Sequence, residues 1–528
     1  MPYPIKDRWP LICVLTLLII AKIPYLLYPY YWDESTPYVP AILEMYKHGI
    51  SLLPTALPPD LSRGHPLFFH SIAALWIHVF GSSCKSLHGF ALFISILFLI
   101  TIFETGYRFF NKRVAVISLL LIATNVFFYV QSSFVLPEIL VAFLSFLSLY
   151  LYAKEKYLYA TLSLTALFLT KESGMIAGFI ISMDAIVALF NTSEKIKTRL
   201  LKFIPVTVAC IAIGSFLLVQ KHYRGWYVFP LHTDLVLNKW IPIWYRFRTC
   251  SIKTTFCTGY DYIIFSLLVL FAIIAIIKNR KIQYLPLLFI IIPIALAYYF
   301  IDDGRAEMFS GIEIFGFIAF IVFYVVALFS FAKAKYYDNP LQRKFILLVG
   351  FFILAYVLFS SVACFCARYE LASIVPTLFL LAVLFDMLIK QSYQILYYPL
   401  LIIILTAGIF SFKNDNGYGD VHLGYKYGVK TQLAVVEYME RSNFYDKHIA
   451  IGSYLERAHL TNRSTGFLSN ERNFKYVTSD IDSNTDLVIF DSLEPDMRYD
   501  TLVKGSTFEL VYHIEMHGVW ADVFRRRH

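Results

Sequence analysis

The chain has 528 residues, of which 58% are hydrophobic, 18% aromatic and only 16% charged. Soluble chains usually carry about 25% charged residues, so a soluble globular protein is excluded and the chain reads as a polytopic membrane protein. The net charge of +9 does not signal nucleic acid, because the positives stand in short clusters between apolar segments, as topology determinants do.

The first apolar segment, 10–29, is long enough to cross a bilayer at about 1.5 Å per residue. It lacks a small-residue cleavage site and reads as an uncleaved first helix. Trp32, Asp33 and Glu34 follow at once. Carboxylates at the membrane surface cost free energy unless solvated or paired, so the pair reads equally as a functional site and as a solvated loop start. Val39, Ile42, Leu43 and Tyr46 recur at helical spacing, which predicts a helix over 38–48 lying on the membrane. Segment 66–80 is apolar but short, and it carries His70 and His78. Further apolar segments run over 86–107, 114–133, 137–153, 157–170, 173–190, 200–220, 260–277, 282–301, 310–331, 344–363, 370–390 and 393–411, giving thirteen predicted spans with the first.

The positive-inside rule decides the status of 66–80. If it lies in the interface, the clusters Arg108/Lys112/Arg113, Lys154/Lys156, Lys195/Lys197/Arg199, Lys278/Arg280/Lys281 and Lys333/Lys335/Arg343/Lys344 all fall on one side. If it spanned, every one would move outside. The N-terminus, with Lys6 and Arg8, is therefore expected in the cytoplasm. The 30–85 loop, the Pro137-Glu138 and Lys171-Glu172 turns, the 221–259 loop, the Asp302–Arg305 turn, Cys366–Tyr369 and everything after 412 are expected outside. Charges that are not topology determinants thus converge on one face, which points to an extracytoplasmic active site.

Two domains follow: a membrane domain over 1–411 and an extracytoplasmic α/β domain over 412–528. In the second, His448–Gly452, Asp486–Phe490 and Phe508–Tyr512 read as strands, and 427–443 as an amphipathic helix. No Gly-rich phosphate loop follows any of these strands, so no nucleotide is expected. The seven cysteines show no zinc spacing. Cys250 and Cys257 share an external loop, where a disulfide is one reading.

Tyr31–Tyr38 (YWDESTPY), the 39–48 helix, Gly49 and Pro54, Arg63-Gly64-His65-Pro66-Leu67 and Val79-Phe80-Gly81 together resemble the first external loop of membrane glycosyltransferases of the GT-C type, family 39-like. The branch is that of lipid A aminoarabinose transferases and dolichyl-phosphate-mannose protein mannosyltransferases. Leu136-Pro137-Glu138 stands where the family carries an acidic residue, often Asp followed by Pro; here Glu replaces Asp and Pro comes first. Leu169-Thr170-Lys171-Glu172 resembles the family's Thr-Lys-Gly turn. Ala367-Arg368-Tyr369, with Pro376 following, resembles its late Arg-Tyr…Pro signature. The resemblance covers roughly 10–390.

It implies a GT-C architecture of about thirteen transmembrane helices in a bacterial inner membrane. The implied reaction moves a sugar from a polyprenyl-phosphate donor to an extracytoplasmic lipid, glycan or protein acceptor, with inversion. Such chemistry needs a base for the acceptor and cations for the leaving phosphate. Asp33 is the base candidate, with Glu34 supporting it and Glu138 orienting the acceptor or a cation. Arg63, His65, Lys171, Arg368 and Tyr369 are candidate donor-phosphate ligands. No cofactor is expected beyond a possible divalent cation. Other readings stand beside these. Lys171-Glu172 is also a self-paired turn, Glu138 a helix-start acid favoured by the dipole, and Arg368 an interfacial anchor. A transporter or flippase of lipid-linked sugars would show internal repeats, and none is visible. A polymerase or ligase of such sugars remains an alternative.

Overall fold

The structure is a computed structural model. It describes residues 5–190, 195–255, 339–363, 366–392, 394–470, 472–505 and 507–527, together with Val325 and Leu328. The predicted spans over 260–331, the basic cluster at 278–281, the Asp302–Arg305 turn, and Cys257 with its proposed disulfide lie outside these residues.

Among the described residues, seven helical runs are long and apolar enough to cross a bilayer: Trp9–Leu27, Cys84–Phe110, Glu172–Leu189, Ile196–Arg224, Pro340–Val362, Ala367–Met387 and Tyr397–Asn414. Shorter apolar helices cover Phe68–Phe80, Pro137–Ala153 and Tyr157–Phe168. The chain is therefore a multi-pass membrane protein. Pro137–Ala153 sits at the centre, packed against Cys84–Thr105, Tyr157–Phe168, Pro340–Val362 and Leu371–Ser392. Phe146, Phe345 and Phe379 interlock there edge to face, the geometry that aromatic quadrupoles favour, and Phe98 packs on Phe146 at a tilt. The Phe68–Phe80 helix rises only about 20 Å, short of the ~30 Å hydrocarbon layer. It packs on Tyr38–His48 and on the start of Cys84–Thr105.

The predicted single helix over 114–133 is two helices, Lys112–Ala123 and Val126–Gln131. Asn125 makes the break. It adopts extended backbone and its side chain accepts from Phe128 N at 3.1 Å, so it caps the second helix rather than continuing the first.

Polar side chains close both ends of the bundle. At one end Asp386, fully buried, accepts from Arg113 Nε at 2.6 Å and Asn111 Nδ2 at 2.7 Å. Close by, Asp184 accepts from Tyr152 Oη at 2.8 Å and pairs with Lys344 Nζ at 3.0 Å. In the central helix Glu138 stands in the first turn and Tyr152 follows about 21 Å further on, so Glu138 and Asp184 belong to opposite ends.

The C-terminal region is an α/β unit. β1 (His448–Ile451), β2 (Tyr476–Thr478), β3 (Leu487–Asp491), β4 (Phe508–Met516) and β5 (Val519–Arg526) form one sheet in the order β2-β1-β3-β5-β4. β1 runs parallel to β2 and β3, while β5 runs antiparallel to β3 and β4. β3 is buried along its length, as a central strand covered on both faces must be. The Tyr425–Arg441 helix packs on β4 and β5. β2 and β5 were not expected from sequence. β2 is only three residues long, and β5 mixes Arg525 and Arg526 with its apolar positions.

With cysteines introduced singly into a cysteine-free chain, we expect an impermeant maleimide added outside to label position 60 and to miss position 155. Label at 155 and none at 60 would reverse the orientation.

Candidate active site

The Trp32–Glu34 turn follows the first span directly. Trp32 takes a positive φ of 57°, and the two acids that follow it face different partners. Glu34 turns inward and is 2% exposed. Its Oε2 accepts from Tyr31 N at 3.1 Å and its Oε1 from Val135 N at 2.6 Å. His88 Nε2 lies 3.2 Å from the same Oε1. Glu34 is therefore spent on holding the turn to the 135–138 segment.

Asp33 faces the other way, toward Arg368. The Arg368 guanidinium donates from Nη2 to Asp33 and from Nη1 to Asp420, and its Nε lies 3.5 Å from Glu138 Oε1. Arg368 is 3% exposed, Glu138 4% and Asp420 5%. The Asp33 side chain retains 21%. Its Oδ1 has no hydrogen-bond partner among the described residues. Lys171 Nζ donates to Glu138 Oε1 at 2.7 Å and lies 3.9 Å from the Tyr369 ring centroid. Three carboxyl groups thus share two cations, Glu138 and Asp420 in the dry interior and Asp33 at its edge. Each cation is paired with acids in this structure. They hold the carboxylates in place, and Arg368 Nε keeps an N–H with no hydrogen-bond partner among the described residues. Tyr369 covers Lys171.

Local sequence explains the placement. Pro137 at the helix start presets the first turn, and the backbone N–H groups there favour the Glu138 charge. Arg368 stands in the short turn ahead of the Leu371–Ser392 helix. Burial works against the charge on Lys171, but Glu138, Tyr369 and Tyr38 outweigh it and hold its pKa well above the ordinary lysine value. A pKa raised on folding contributes stability that is fully present below about pH 10.4 and is lost as pH rises through the folded value. The Lys171–Glu138 pair is therefore intact throughout the neutral range. Burial raises the pKa of Asp420, and Arg368 offsets only part of that rise.

Lys171 and Glu172 are not a self-paired turn. Glu172 Oε2 lies 2.8 Å from His65 Nδ1 instead. The His65 ring stacks on His232, with centroids 4.8 Å apart, and burial pulls the His232 pKa down to about 4. Arg63 is half-buried on the same turn and has no ion-pair partner among the described residues. Between Arg63 and His65, Gly64 has φ +72°, and a Cβ there would meet the Trp226 ring at 2.9 Å. Arg63 and His65 thus form a separate group beside the Arg368 cluster. In the 221–259 loop, Arg224 and Arg246 donate to the carbonyls of Leu57 and Ala363 and fasten loops together.

Sequence reasoning missed Asp420, His88 and Lys22. Lys22 is fully buried near the end of the first span. It donates to Ser133 Oγ at 3.1 Å and Val130 O at 3.3 Å, and stands 4.0 Å from the Tyr129 ring centroid. A lysine within the apolar 10–29 run was the available signal. Among the described residues, no group of three or more His, Cys, Asp or Glu is arranged to hold a metal ion.

Two crystal structures of ArnT from Cupriavidus metallidurans are similar to this chain along almost its whole length. One is bound to undecaprenyl phosphate and the other is in the apo state; each aligns with a TM-score of 0.50, 12% identity and 97% coverage of both chains. At that identity the likeness establishes the fold alone: a multi-pass helical bundle with a small C-terminal α/β unit. No family model and no curated protein matches the sequence.

Breaking one member of a buried ion pair leaves an uncompensated charge and costs about 3–5 kcal/mol. Lys171→Met should lower stability by that amount in detergent unfolding, and Glu138→Gln added to it should recover part of the loss. An unchanged midpoint in Lys171→Met would contradict the buried pair.

Proposed function

We propose that this chain is an integral-membrane glycosyltransferase that takes its sugar from a polyprenyl-phosphate donor and passes it to an extracytoplasmic acceptor. One observation carries the reading: a single buried guanidinium gathers Asp33, Glu138 and Asp420, and of these only Asp33 opens to solvent. Arg368 fixes one Asp33 oxygen and leaves Oδ1 to take the proton of an acceptor hydroxyl. The acceptor oxygen bonds to the anomeric carbon as the bond from that carbon to the phosphate oxygen breaks. The polyprenyl phosphate leaves with the electron pair, and one displacement inverts the anomeric centre.

The leaving phosphate needs positive groups that carboxylates have not taken. Arg63 answers that need, with its planar fork suited to phosphate oxygens, and His65, oriented by Glu172, stands beside it. Lys171 and Arg368 support this chemistry from behind by holding Glu138 and Asp33. The undecaprenyl phosphate bound in an ArnT crystal structure supports a donor of this class. Whether the sugar is a hexose or a pentose, whether the acceptor is lipid, glycan or protein, and whether a divalent cation takes part are decided by assay. A bacterial inner membrane, with the C-terminal unit outside, completes the proposal.

Removing a general base costs about 10²–10⁴-fold in rate. In reconstituted vesicles given undecaprenyl-phosphate-linked aminoarabinose or mannose with a radiolabelled sugar, Asp33→Asn should lose transfer by that factor. Arg63→Ala should weaken donor use chiefly through KM. Transfer at the wild-type rate by Asp33→Asn would remove Asp33 from the mechanism.

A further inference from the structure

Asp33 is held from two directions by residues beyond the last span. One is Asp420, which shares Arg368 with it. The other acts on Tyr31, two residues ahead of Asp33. Tyr31 is 1% exposed. Its Oη donates to Tyr418 O at 3.0 Å, and its ring packs against Tyr425 and Trp32 with centroids 6.1 and 5.6 Å away. Its own N–H donates to Glu34, which is tied in turn to Val135. Tyr30 N donates to Thr465 O at 2.9 Å. Tyr31 borders a small cavity lined also by Tyr25, Tyr28 and Tyr425, but its bonds at the hydroxyl and at the N–H tie the ring to the backbone that carries Asp33, so a push on it is passed to that backbone.

Gly428 stands where that push would originate. It lies within the Tyr425–Arg441 helix and has no positive φ, so the helix itself would favour alanine. What alanine would meet is Tyr31. A Cβ at 428 would lie 2.6 Å from Tyr31 Oη, 3.1 Å from its Cζ and 3.2 Å from Leu493 Cδ1. The space at Gly428 is the socket of the Tyr31 phenol.

We propose that Tyr31 and Gly428 are positioning residues through which the C-terminal unit sets the Asp33 carboxylate, making that unit part of the catalytic site. The role of Asp33 rests on the function proposed above; the placement of Asp33 does not. A misplacement near 1 Å costs about 100-fold in rate without loss of the fold.

The test uses the full chain with Gly428→Ala, Tyr31→Phe and the double variant. With undecaprenyl-phosphate-linked sugar, Gly428→Ala should lower kcat about 10- to 100-fold at unchanged KM in a chain that still folds. The double variant, which lacks the oxygen that the new methyl group would strike, should regain most of that rate. In parallel, Asp33→Cys in a cysteine-free chain reports the position without any transfer. The labelling rate of its thiol by a charged maleimide should change when Gly428→Ala is added and return when Tyr31→Phe is added too. A chain that transfers no sugar at all would sink the transferase reading, while labelling of the Asp33→Cys thiol would still decide this one. An unchanged labelling rate for that thiol in the Gly428→Ala background, or a double variant no better than the single, would overturn the proposal.

Discussion

The site depends on one buried guanidinium. Arg368 is 3% exposed, and its three nitrogens face Asp33, Asp420 and Glu138. Charges cannot be left unpaired in a dry interior, so the three acids must come to it. Those acids arrive from the turn after the first span, the link into the C-terminal unit and the start of the central helix. Lys171 then balances Glu138 from a fourth segment. Pairing fixes the relative positions of segments that lie hundreds of residues apart in sequence.

The asymmetry within the cluster gives it chemical meaning. Buried ion pairs add little net stability compared with apolar packing, so a cluster of five charges is costly as scaffolding alone. Asp33 alone among its carboxylates is open to solvent, and Arg63, on a neighbouring turn, is a cation that no acid among the described residues has claimed. A carboxylate at the edge and an uncommitted cation nearby are what transfer from a phosphate leaving group requires. The opposite end of the bundle holds acids too, but Asp386 and Asp184 are paired directly with Arg113 and Lys344. Those pairs close the bundle.

Much of this was legible in the sequence, for a physical reason. Glu138, Lys171 and Arg368 stand at the borders of apolar runs, where a charge is costly and therefore conspicuous. The positive-inside pattern then assigned them to one face. Three things were not legible. Asp420 lies in a Gly-rich link with no periodicity, and only the docking of the C-terminal unit brings it to Arg368. Glu34 was singled out beside Asp33, but adjacency in sequence could not show that the two acids face different partners, Glu34 the Val135 backbone and Asp33 the Arg368 guanidinium. The helix break at Asn125 was hidden because 114–133 is uniformly apolar around it, and the capping bond to Phe128 outweighed the pattern.

The central claim is that this site cleaves the bond between a sugar and a polyprenyl phosphate. The most direct measurement follows both halves of the donor in vesicles carrying the purified chain. Undecaprenyl-phosphate sugars labelled in the lipid and in the sugar are supplied with acceptor-containing membrane extract. The account predicts that free undecaprenyl monophosphate appears in step with sugar transfer. Intact lipid-linked sugar delivered to the other leaflet, with no monophosphate released, would contradict it.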